Sequence, residues 1–273
     1  MMKLSREEVL RLVQEIETRS LADMKRDTDL NVIQFRDGKF LGVPILAKQV
    51  ANNMMICAQA RWVLESDLAK AREDLSAIPV SASAVISAVE QMGPAMAGER
   101  AWDGTTLEYH IFKPILVGLL LADAREEFLR LCRGISSQRG AFEQYSRKHI
   151  VGEFVVQLAD IGADAGAQAS VAAFEGTTMF GPRHFAYGYH EMLFHIARRD
   201  MFEFERVRGE REAAFPRRTR SRVAVNQLDP WGQGALAQSA TFDALGTALC
   251  RLAVWRGLPV SVDSRLYPKE FYL

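Results

Sequence analysis

Apolar positions recur along most of this chain at steps of three and four residues, the spacing of one buried face of an α-helix. Val9, Leu12, Val13 and Ile16 start the pattern behind Ser5-x-x-Glu8. That pair reads as a capping box, in which hydroxyl and carboxylate each take an orphan backbone amide, and it predicts a first helix to about Ser20. The stretch from Asp27 to Pro44 is polar and Gly-punctuated, with Arg36-Asp37-Gly38-Lys39 as its turn signal. Leu46, Val50, Met54, Cys57, Ala58, Trp62 and Leu64 then predict a helix from about Pro44 to Glu73.

Pro79 opens a short helix that ends near Gly93-Pro94, and a loop holding Trp102, Asp103 and Gly104 follows. An apolar helix runs from Leu107 to Arg133, kinked or restarted at Pro114. Another covers about Ala141 to Phe174, with Phe142, Tyr145, His149, Val155, Val156 and Leu158 as core candidates. Its Gly162 and Gly166 let a neighbouring helix approach closely. Gly176 to Pro182 is a turn, and a further helix reaches about Val207. The last helix runs from about Gly234 to Arg256, with Phe242, Leu245, Leu249 and Leu252 as one stripe. Gly257 supplies the left-handed stop and Pro259 prevents continuation.

Strand-like segments are Asn31 to Phe35 and Val260 to Val262 at most, and no period of about 20 to 50 residues repeats. The fold expected is therefore mainly α, a compact bundle of about seven to nine helices with little or no β-structure. One domain over residues 1–273 is expected, with 1–135 and 136–273 as possible subregions.

Charge adds a restriction. The 34 basic and 34 acidic residues cancel, so no global field recruits nucleic acid or an anionic membrane. Cys57, Cys132 and Cys250 are widely spaced and read as buried reduced thiols of a cytoplasmic protein. The N-terminus carries acids where a secretory signal needs an apolar run. The longest apolar stretch, Ile111 to Ala122, falls short of the roughly 20 residues of a spanning helix.

Candidate chemistry is sparse. His190-Glu191-Met192-Leu193-Phe194-His195 misses the metalloprotease spacing by one residue. Helical positions five apart point about 140° from each other, against about 40° for four, so the two rings cannot share a metal. Gly232-Gln233-Gly234-Ala235-Leu236-Ala237 has the letters of a dinucleotide fingerprint. Asn226 to Trp231, with Pro230, stands where the fingerprint needs a buried strand, so an ordinary helix start is favoured. Glu7-Glu8 and Glu126-Glu127 are adjacent pairs that point apart on a helix. No cofactor and no metal are expected.

From Arg206 to Arg222, seven arginines (206, 208, 211, 217, 218, 220 and 222) meet only Glu210 and Glu212. The stretch reads as a patch docking a carboxylate-rich partner, as a phosphate contact, or as a solvated helix end whose arginines pair with acids elsewhere. Trp102 and Trp231, both in turn-rich loops, are candidate interface anchors or else lid and core residues.

Two blocks carry a resemblance to a known family. One is Ala248-Leu249-Cys250-Arg251-Leu252-Ala253 with Arg256-Gly257-Leu258-Pro259-Val260 and Val262-Asp263-Ser264-Arg265-Leu266-Tyr267-Pro268. The other is Tyr189 to Asp200, closing on Ala197-Arg198-Arg199-Asp200. These resemble the immunity protein 49 family of bacterial polymorphic-toxin systems. The resemblance implies a cytoplasmic antidote that binds a cognate secreted toxin, with a nuclease effector as the leading toxin class, and blocks its active site or substrate access. It implies a protein partner, with no nucleic acid and no membrane, and brings no catalytic residue. On that reading Arg217, Arg218, Arg220 and Arg222 supply steering, and Trp231 and Trp102 the anchors. The alternative is a helical-bundle enzyme using His110, His149, His184, His190 or His195 with Glu153 or Asp160. A third reading is a helical scaffold that binds RNA or DNA through the arginines.

Overall fold

The computed structural model describes residues 5–28, 34–36, 39–41, 44–91, 112–137, 150–163, 187–218 and 242–273. Helix α1 (Arg6–Thr28) begins at the expected capping box: the Ser5 amide donates to Glu8 Oε2 at 2.7 Å and the Glu8 amide to Ser5 Oγ at 3.2 Å. It runs past Ser20 because no Gly or Pro interrupts the next turns and Ser20 itself is buried, accepting from Asn53 at 2.9 Å. Two three-residue strands, β1 (Gln34–Arg36) and β2 (Lys39–Leu41), then pair antiparallel with Arg36 opposite Lys39, the two ends of the turn signal. Val260 to Val262 joins no ladder.

Several helix boundaries differ from the expected ones, and in three places the reason is the same. The helix expected over Pro44 to Glu73 is α2 (Pro44–Ala60), a π turn over Arg61–Glu65, and the start of α3 (Leu68–Gln91), with Ser66 left-handed at φ 57° between them. The apolar helix expected from Leu107 to Arg133 is α4 (Phe112–Leu121) and α5 (Arg125–Ser137), divided at Asp123, φ 58°. The helix expected to end near Val207 is α7 (Tyr189–Arg198) and α8 (Met201–Arg218), divided at Arg199, φ 55°. Each break is one non-glycine residue in a conformation that costs about 1–2 kcal/mol, held by packing that local sequence does not display.

Pro79 lies inside α3 instead of opening a helix. Ala71, Leu75, Ile78, Ala82, Val85, Ile86 and Val89 are buried in one helical phase on both sides of it. An interior proline costs about 3 kcal/mol. Each large apolar side chain buried contributes about 1.5–3 kcal/mol, so the stripe wins. Pro114 sits in the first turn of α4, where its missing amide hydrogen is not needed.

Helix α6 (Ile150–Gly162) buries Phe154, Val155, Val156 and Leu158; Phe142, Tyr145, His149 and Gly166 lie outside the described residues. A methyl group on Gly162 would overlap Cys132 and Phe128 of α5, so the close approach expected at this glycine is present. All three cysteines are buried free thiols.

Helix α9 (Ala244–Trp255) starts ten residues after the expected Gly234, because the Asp243 carboxylate caps it by accepting from the Gly246 amide at 3.0 Å. Phe242 therefore precedes the helix, although it is buried with Leu245, Leu249 and Leu252. Its stop is as expected. Gly257, φ 81°, and Leu258 return their amides to Val254 and Ala253 at 2.9 and 3.0 Å, satisfying the terminal carbonyls.

The nine α-helices among the described residues share one continuous apolar cluster. Helix α2 packs on α1, α3 and α4; α5 on α3 and α6; α9 on α4 and α7; and α7 on α8. The tail closes this arrangement. Phe271 stacks on Phe242 at 5.0 Å and meets Trp62 of the π turn edge-on at 5.9 Å. Arg72 of α3 donates to the Glu270 carbonyl at 3.0 Å, and Arg251 of α9 reaches Asp123 at 2.8 Å. No helix among the described residues is long and apolar enough to cross a membrane.

Candidate functional site

The arginine stretch divides at the end of the described structure. Arg206 lies between Glu203 and Glu210 at 2.7 and 2.6 Å, and Arg208 between Glu205 and Glu212 at 2.7 and 2.8 Å. These are the three- and four-residue pairs of one helix face. Arg211 turns inward. Its Nε donates to Asp243 Oδ2 at 2.6 Å, its Nη1 to the Tyr187 carbonyl at 2.6 Å, and its guanidinium lies 3.4 Å from the Tyr189 ring centroid. All three arginines pair with carboxylates, as one of the three readings expected, but only Arg206 is solvated; Arg208 and Arg211 are buried. Arg217 and Arg218 fall in the last turn of α8 with side chains outside the described residues; Arg220, Arg222, Trp231 and Trp102 lie outside them altogether, as does the 232–237 glycine motif.

Asp243 organises the centre. Besides Arg211 and the Gly246 amide it accepts from Tyr189 Oη at 2.6 Å and Tyr267 Oη at 3.2 Å. Burial alone would raise its carboxyl; the Arg211 charge and these donors outweigh that and hold it below the usual carboxylate range. Gly246 is required here, since a methyl group would strike the Tyr267 ring and the Asp243 carboxyl. Tyr267 reaches its place through a turn in which Ser264 Oγ and the Ser264 carbonyl take the Tyr267 amide at 3.2 and 3.0 Å, while Asp263 pairs with Lys269 at 3.0 Å. The Asp-Ser-x-x-Tyr-Pro tail is thus a folded unit docked on the cap of α9. Lys113 of α4 sits half-buried 6.0 Å from the Phe154 ring centroid; burial and then the Arg211 charge push its ammonium down to about 8.

A second polar cluster lies where α1, the π turn and α3 meet. Arg61 donates to Glu17 at 2.8 Å and Glu65 at 3.1 Å, and Lys70 reaches Glu17 at 3.0 Å. Asp74 is left 3.9 Å from Arg61 Nε, with its Oδ2 buried and unbonded. Burial first, and then the Glu17 charge, raise its carboxyl to about 7. Cys57, bonded to the Val13 carbonyl, borders this cluster, and burial pushes its thiol up.

Of the five histidines, His190 and His195 are described, and they serve different neighbours. His190 Nδ1 bonds Gln157 Oε1 at 2.8 Å and its ring meets Phe154 edge-on, whereas His195 packs on Phe194. Asp160 accepts from Ser136 at 2.7 Å. Among the described residues no three His, Cys, Asp or Glu side chains are grouped to hold a metal. His110, His149, His184 and the Glu153 side chain lie outside the described residues.

One signal for the centre was present in the sequence and unread: Asp243 stands directly before an apolar-periodic run, the position of a helix cap. Its partner thirty-two residues upstream carries no local mark. Compared with protein-family models, with curated proteins and with solved structures, the chain gives no significant match.

Proposed function

We propose that this chain is an immunity-type binding protein that captures a cognate secreted bacterial toxin and occludes its active site or substrate access. The observation that carries the reading is the construction of the tail. The residues that resemble the immunity protein 49 family are those that stop α9, form the Ser264–Tyr267 turn and seat Tyr267 on Asp243. The second resembling block, Tyr189 to Asp200, supplies Tyr189 to the same carboxylate and ends as the corner between α7 and α8. Blocks distant in sequence converge on one centre.

A tight inhibitor benefits from a surface already in its bound shape, because ordering side chains on association is costly. Fully bonded buried charge networks such as Arg211–Asp243 rigidify a scaffold and suit that need. The partner is a protein, with a nuclease effector as the first toxin class to try.

Co-expression with the toxin encoded immediately upstream tests the reading. Restored growth and co-elution of the two chains on size exclusion are expected. Failure to protect against every such toxin, with no complex, would overturn it.

A further inference from the structure

The corner between α7 and α8 combines an outward aromatic with two exposed arginines that make no ion pair among the described residues. Phe202 is 78% exposed, the most exposed large apolar side chain described. The cause is helical phase: Phe204, Val207 and Arg211 take the buried side of α8, and Phe202 stands about 200° round from Phe204. Just before it, Arg198 and Arg199 are both exposed. Arg198 lies over the Phe194 ring at 5.4 Å, and among the described residues neither it nor Arg199 makes an ion pair. The left-handed backbone at Arg199 and the Asp200 cap, bonded to the Glu203 amide at 3.2 Å, fix the corner's shape.

We infer that this corner is the docking surface for the toxin, with Phe202 entering an apolar recess and Arg198 and Arg199 meeting carboxylates around it. The inference rests on the functional reading above and names the surface that performs it. Aromatic and arginine side chains are the residues that most often anchor protein interfaces. The neighbouring charges select the class of partner. Glu203 and Glu210 follow Phe202 along one side of α8 and are engaged by Arg206, so a phosphate backbone or an anionic bilayer laid along the helix would meet them as well as the two arginines. In a second copy of the corner the α8 glutamates are already paired with Arg206 and Arg208, which leaves only Asp200, itself the helix cap, to receive Arg198 and Arg199. An acidic protein face confined to the corner meets both arginines without lying along these glutamates, and it is the occupant the arrangement favours.

The probe is the upstream-encoded toxin domain, inactivated by substitution and titrated with the full-length chain by calorimetry and stopped flow. Phe202→Asp is expected to raise Kd about thirtyfold or more, since it places a charge in the recess. Arg198→Ser/Arg199→Ser is expected to slow association about tenfold at low salt, with the difference fading in high salt. Val80→Asp is the control, because Val80 is 65% exposed on α3 and away from the corner, and it should bind as the unaltered chain does. All sites replaced are exposed, and unchanged melting temperatures establish that each variant folds.

A toxin domain that binds the unaltered chain and Phe202→Asp equally overturns the docking surface and leaves the immunity reading standing. A domain that binds neither overturns both. Self-association abolished by Phe202→Asp, or DNA or vesicle binding abolished by the double arginine variant, identifies another occupant and overturns the inference.

Discussion

Asp243 and Asp74 are both buried aspartates facing an arginine, and their carboxyls shift in opposite directions. The difference lies in the arginines' other commitments. Arg211 gives its Nε to Asp243, and two phenols and a backbone amide complete the shell. Arg61 gives its two terminal nitrogens to Glu17 and Glu65, so Asp74 receives only a distant Nε at 3.9 Å and the repulsion of Glu17. Proximity to a cation does not ionise a buried acid; donors within bonding reach do.

The largest effect is expected from breaking the closed pair. Arg211→Met leaves Asp243 buried with its tyrosines and one amide but no bonded counter-charge, which should cost about 3–5 kcal/mol in urea unfolding. Adding Asp243→Asn to that variant should return part of the loss, because the uncompensated charge goes. A loss below about 1 kcal/mol for Arg211→Met would mean the pair does not hold α8 to α9.

Asp74→Asn should do the reverse. The folded carboxyl titrates at about 7 against 3.8 in the unfolded chain, so between those values the folded state holds the extra proton. Stability from this group is therefore full below about pH 4, falls as pH rises toward 7 and is flat beyond, a loss on the order of 4 kcal/mol. Asn mimics the protonated acid, so the variant should match the parent at pH 3 and exceed it at pH 8. Asp243, depressed, contributes the opposite slope: its stabilisation is present above the unfolded value and lost as pH falls through the folded one. Urea midpoints at pH 3 and 8 check the sign for Asp74, and a loss between pH 5 and 3 in the Asp74→Asn chain checks that for Asp243; an Asp74→Asn chain less stable at pH 8 would show that the 3.9 Å contact counts as a pair.

Tyr189→Phe and Tyr267→Phe grade the shell around Asp243. The 2.6 Å bond from Tyr189 to a carboxylate should be worth about 1.5–3 kcal/mol, and the 3.2 Å bond from Tyr267 about 1 kcal/mol. Equal losses would contradict the ranking by distance.

The same contrast explains what could be read in advance. The Ser5 capping box and the Gly257 stop were legible because each is completed within a few residues. The helix breaks at Ser66, Asp123 and Arg199 were not, since no glycine marks them and distant contacts such as Arg251–Asp123 hold them. Pro79 misled for the same reason: its helix is maintained by a stripe that packs on other helices. The arginine stretch looked unbalanced because Glu203 and Glu205 stand just before it and Asp243 well after it. The Arg211–Asp243 pair has no local signature, and that is the general limit for tertiary charge pairs.

The smallest effect belongs to Arg206, on the same helix as Arg211 and with two carboxylates at comparable distances. Bond lengths alone would rank the two arginines together. Arg206 is exposed, however, so water replaces either carboxylate when it is removed, and salt screens what remains. Arg206→Ala should shift Tm by about 1 °C or less. Arg211→Met should instead lower Tm by more than about 5 °C in the same scan. Similar shifts for the two would show that solvent exposure does not separate them, and that the α8 network of Glu203, Arg206 and Glu210 contributes as a unit.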